Sequence, residues 1–82
     1  MTPWTALVLY VKSHFDGLSL ERNLSICKQL TRKWGLEQTS QVVEGAALLG
    51  WKDLRGLNGG DAIGFRWARE AYWRERNRSQ LG

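Results

Sequence analysis

Cysteine, proline, histidine and β-branched clusters are all scarce in these 82 residues. The one cysteine, Cys27, has no partner in the chain for a disulfide, and it excludes a CxxC motif or a thiolate zinc cluster. A reducing, cytoplasmic compartment is the expectation. The one histidine, His14, has Asp16 two residues away but no second imidazole to complete a metal site. Ser13, Ser25 or Cys27 would have to pair with His14 for nucleophilic catalysis, and nothing in the sequence positions an oxyanion hole. Glu21, Glu37, Glu44 and Glu70 are dispersed and follow neither an EF-hand nor an ExxH pattern. No catalytic residue, metal or cofactor is expected.

β-branched residues cluster only at Val42-Val43, which disfavours a sheet. Long apolar runs are missing too. The opening "MTPWTALVLYVKSHFDG" lacks a basic flank and is interrupted by Lys12, His14 and Asp16, so neither a signal peptide nor a membrane span is expected. Cys27 falls on the apolar stripe of a helix, where a small buried side chain is the ordinary reading.

Helical periodicity is what remains. Thr2 and the lone proline, Pro3, suit the start of a helix from about Pro3 to Phe15, with Trp4, Leu7, Val8, Val11 and Phe15 on one stripe. Gly17 stops it. Ser19 caps a second helix whose inward face is Leu20, Leu24, Cys27, Leu30 and Trp34, ending at Gly35. A third runs from about Leu36 to Leu49, and its Gly45, Ala46 and Ala47 would admit another helix closely. Gly45 inside a helix costs about 1 kcal/mol relative to alanine, so a packing reason is expected.

"GWKDLRGLNGG" is an irregular connection, with four glycines among eleven residues and one short helical turn expected at Lys52 to Leu54. Trp51, Leu54 and Leu57 should pin it to the core. "GLNGGDAIG" suggests a phosphate-cradling loop, but it lacks the lysine and Ser/Thr of a P-loop, so a turn followed by an Asp61 cap is the plainer reading. A last helix runs to about Asn77, with residues 78–82 frayed. Together these make an all-α fold: one domain over residues 1–82, a compact orthogonal bundle of about four helices.

Charge is asymmetric. Twelve basic residues oppose eight acidic ones, for a net charge of +4, and eight of the twelve are arginine. Five arginines fall in "FRWAREAYWRERNR", beside two tryptophans, a tyrosine and a phenylalanine. At 100° per residue Ile63, Trp67 and Ala71 share the expected buried side, flanked by Ala68 and Tyr72. Arg66, Arg69, Trp73 and Arg76 form a separate stripe. An aromatic ring for base stacking, with guanidinium groups for phosphates, is how many proteins hold single strands. The candidate nucleic-acid contacts are Arg66, Arg69, Trp73, Arg74, Arg76 and Arg78, with Lys28, Arg32 and Lys33 as a second patch.

A plainer account is also open: Glu70 pairs with Arg74, Glu75 pairs with Arg78, Trp73 packs under the first helix, and the arginines face water. Tryptophan and arginine are also the residues of protein hot spots, so an acidic protein surface is an alternative partner. Homo-oligomerisation stays open.

"RNLSICKQLTRKWGLEQTSQVVEGAALLGWKDL", Arg22 to Leu54, resembles small helical replication-accessory proteins of phages and plasmids, of the helicase-loader or replisome-organiser type. The residues that carry the resemblance are Leu24, Leu30, Lys33-Trp34-Gly35, Leu36-Glu37 and Trp51. It implies a role near replicating or single-stranded DNA and supplies no catalytic residue.

Overall fold

The computed structural model describes residues 1–58 and 63–81, the last three by their backbone alone. The chain forms α1 (Pro3–His14), α2 (Leu20–Trp34), α3 (Leu36–Leu48), a single 3-10 turn (Arg55–Leu57) and α4 (Ile63–Leu81). Among the described residues there is no strand, so the fold is an all-α bundle. Its radius of gyration, 12.1 Å, is close to the ~12 Å to which a chain of this length packs.

Local chemistry sets the boundaries. The Thr2 hydroxyl accepts the Thr5 N–H at 3.1 Å, and Pro3 follows at a position whose N–H would have no helical partner. Ser19 accepts the Arg22 N–H at 3.2 Å. Gly35 alone separates α2 from α3. Its φ of +88° lies where only glycine sits without strain, and its N–H closes α2 onto the Thr31 carbonyl at 2.9 Å. Its own carbonyl then accepts both the N–H and the hydroxyl of Thr39.

The core draws on every element: Leu7, Val11 and Phe15 of α1; Ile26, Cys27 and Leu30 of α2; Val42, Val43 and Ala46 of α3; Leu54 and Leu57 of the connection; Phe65 and Ala68 of α4. The connection is tied down at three points. Gly17 donates to the Lys52 carbonyl at 2.7 Å, Trp51 donates to the Ala46 carbonyl at 3.1 Å, and Leu54 donates to Asn23 Oδ1 at 3.1 Å. Asn23 is wholly buried, so this last bond removes a polar pair from water inside the core. Leu54 and Leu57 are buried and Trp51 packs against the core, as their spacing predicts.

Four expectations need correction. The inward stripe of α2 is Asn23, Ile26, Cys27 and Leu30; Leu20 and Leu24 are half-buried, and Trp34 is 45% exposed. Asparagine in a core stripe hides the true phase of the helix. The short turn forms at Arg55–Leu57, not at Lys52 to Leu54. Asn23 holds the Leu54 N–H, and the Asp53 carboxylate accepts the next one, from Arg55, at 3.0 Å. The last helix continues to Leu81 rather than ending near Asn77, with an Arg78–Glu75 ion pair at 3.0 Å in its final turns.

The fourth correction concerns α4. Trp67 is 57% exposed and Ile63 44% exposed, whereas Phe65 and Ala68 are buried. The reason is the closeness of α3. A Cβ added at Gly45 would lie 1.7 Å from the Ala68 carbonyl oxygen, so the two backbones touch at this point. Gly64, one turn before Ala68, is packed as tightly against the Gly56 carbonyl. Only the smallest side chains fit along that line, and α4 therefore turns Gly64 and Ala68 inward. Trp67 lies about 100° around the helix from Ala68 and is carried to the surface. The expected Asp61 cap and the middle of the glycine-rich stretch, residues 59–62, lie outside the described residues.

Candidate nucleic-acid interface

With Phe65, Ala68 and Tyr72 holding one side of α4 to the bundle, its opposite side faces outward along most of its length. There the side chains of Arg66, Arg69, Glu70, Trp73, Arg74 and Asn77 line a shallow groove. All six belong to α4, so the groove is shaped by one helix. It unites four of the residues the sequence singles out: Arg66, Arg69, Trp73 and Arg74. Trp73 is 42% exposed and meets Tyr72 edge-on, with ring centres 5.2 Å apart and planes at 87°. The contact leaves much of the indole accessible.

The guanidinium groups differ in what already occupies them. Arg66 reaches Glu70 at 3.8 Å, a long, exposed pair that water screens strongly. The expected Glu70–Arg74 pair gives way to this one. Among the described residues Arg69 and Arg74 have no ion-pair partner. Arg76 instead donates to the Tyr72 hydroxyl at 3.2 Å, and Arg78 is paired with Glu75 as the i, i+3 spacing predicts. Neither of these two lines the groove.

The second patch lies on α2. Lys28, Arg32 and Lys33 are exposed. Lys33 places its Nζ 5.2 Å from the centre of the Trp34 ring, within cation–π range. Trp34 is 45% exposed and packs on Phe65 of α4, with ring centres 5.3 Å apart. Sequence reasoning assigned Trp34 to the core and so missed it as a surface aromatic. The available signal was its position as the last residue of a helix, between a lysine and the Gly35 stop.

The remaining reactive groups have structural surroundings. His14 Nδ1 lies 3.0 Å from the Tyr10 carbonyl, and its ring stacks on Tyr10 at 4.0 Å. Cys27 is fully buried, and burial pushes its thiol up to about 12, far from the thiolate a nucleophile requires. Among the described residues no three His, Cys, Asp or Glu side chains come together as metal ligands, and no helix is long and apolar enough to cross a membrane. Comparison of the chain with protein-family models, curated proteins and solved structures returns no match.

Proposed function

We propose that the chain is a non-enzymatic nucleic-acid-binding accessory protein of a phage or mobile element, acting in the cytoplasm and holding single-stranded DNA along the outer face of α4. One observation carries the reading: Arg69 and Arg74, with no carboxylate partner among the described residues, share a groove with a 42% exposed indole at Trp73. Unpaired guanidinium groups are ready for phosphates. An aromatic face accepts any base, because every base has a π surface. Arg66 adds charge to the groove, and Lys28, Arg32 and Lys33 are exposed on α2. The net charge of +4 favours the encounter.

The test is binding of fluorescent single- and double-stranded oligonucleotides over a salt series. Log affinity should fall linearly with log salt, by about 0.7 per neutralised phosphate on single strands. Trp73→Ala should weaken single-strand binding and leave that slope nearly unchanged. Arg69→Ala should make the slope shallower, because one counterion-releasing contact is gone. Absence of binding at low salt refutes the reading.

A protein-binding module is the second reading. Ile63 and Trp67, exposed one turn apart, favour it, because an apolar pair serves a protein hot spot better than a phosphate backbone. Under that reading the acidic partner, not an oligonucleotide, competes for the arginines.

A further inference from the structure

We propose that Trp34 is a second base-stacking platform, which extends the single-strand surface from α4 onto the C-terminal end of α2. The proposal rests on the α4 reading above and adds a site on a different helix. Trp34 has three properties that a platform needs. Its indole is 45% exposed. It is held against the Phe65 ring at an interplanar angle of 36°, so its orientation is set before any base arrives. And Lys33 keeps a cation beside it, with Arg32 exposed next in sequence.

Helix geometry connects this corner to the groove. Phe65, which seats Trp34, is buried on the bundle side of α4; Arg69, four residues on, lies about 40° around the helix from it, towards the groove. Trp73 follows one turn later. From Phe65 to Trp73 the helix rises about 12 Å. In the proposal the strand runs from Trp73, past the Arg69 guanidinium, to the exposed part of Trp34. Glu37, the nearest acidic residue in sequence after Trp34, lines a different depression with Pro3 and Tyr72. A residue that only plugs the core needs apolar volume, not an aromatic face. Trp34→Leu separates the two roles, because it keeps a large side chain on Phe65 and removes the π surface.

Trp34→Leu should weaken binding of a short oligothymidylate about fivefold to a hundredfold, the effect of losing one base–aromatic stack. Its salt slope should match the native protein's, and duplex binding should not change, since paired bases cannot reach the ring. Trp34→Phe should recover part of the loss. If Trp34→Leu is folded and binds the oligothymidylate as tightly as native protein while Trp73→Ala binds weakly, the platform is wrong and the α4 reading stands. If the native protein binds no oligonucleotide, both fall together. Should Trp34→Leu fail to fold, ultraviolet cross-linking of native protein to a bromouracil-substituted strand decides. Adducts on Trp34 as well as Trp73 are expected, and adducts confined to α4 overturn the proposal.

Discussion

Gly45→Ala puts the packing of α3 against α4 to a test in which two effects have opposite signs. Helix propensity by itself favours alanine over a mid-helix glycine by about 1 kcal/mol. The tertiary structure opposes it. The added Cβ would sit 1.7 Å from the Ala68 carbonyl oxygen, 2.5 Å from its carbon and 3.1 Å from its Cα. To reach ordinary contact the two helices must separate by roughly 1.5–2 Å. The obstacle is backbone, so no side-chain rotation relieves it. Overpacking of a core costs about 1–3 kcal/mol, and the upper end applies where nothing flexible can yield. Set against the propensity gain, a net loss of about 2 kcal/mol remains. For a domain of this size that lowers Tm by roughly 8–16 °C. Total stability of about 4–12 kcal/mol leaves a folded protein to measure. Thermal and urea unfolding followed by far-ultraviolet circular dichroism gives the number. A Tm equal to or above that of the native protein would refute the close approach of α3 and α4 and the inward placement of Ala68.

The same packing ranks two aromatic deletions: Phe65→Ala should cost about 3–5 kcal/mol and Trp67→Ala about 1 kcal/mol or less, and the reverse order in denaturant unfolding would return Trp67 to the core. Asn23→Ala leaves the buried Leu54 N–H without its acceptor and should destabilise by about 1–3 kcal/mol, so an unchanged urea midpoint would show that this bond is not made. Burial raises the Cys27 thiol from its ordinary 9.0 to about 12, so above pH 9 the unfolded chain ionises while the folded one does not. Stability should therefore decline as pH rises from about 9 towards 12, Cys27→Ala should flatten that decline, and a native thiol that alkylates as fast as an unfolded one at neutral pH would contradict the burial. Glu70→Gln removes the one negative charge lining the α4 groove and should tighten oligonucleotide binding by a few-fold at low salt, whereas weaker binding would mean that Glu70 itself contacts the ligand.

Much of this protein was decided locally. Thr2 and Ser19 start helices because a hydroxyl can reach an orphan N–H, and Gly35 ends one because it alone tolerates the φ required. The all-α class and the burial of Leu7, Val11, Phe15, Cys27 and Leu30 follow from 3.6-residue periodicity. So does the grouping of Arg66, Arg69 and Trp73, since residues three, four and seven apart share a helix face wherever the helix is placed. What the tertiary structure decided is which side of each helix faces inward when periodicity admits more than one. On α4 a bulky stripe of Ile63 and Trp67 competed with a small one of Gly64 and Ala68, and hydrophobicity favoured the first. The backbone contact at Gly45 selected the second, because a close helix crossing excludes volume that no single-helix pattern records. On α2 the wholly buried Asn23 has its Oδ1 bonded by the distant Leu54 N–H, a long-range pairing with no local signature, while its Nδ2 finds no partner among the described residues. Trp34, which ends its helix, stays 45% exposed, and its contact with Phe65 is a long-range pairing that the α2 pattern does not record.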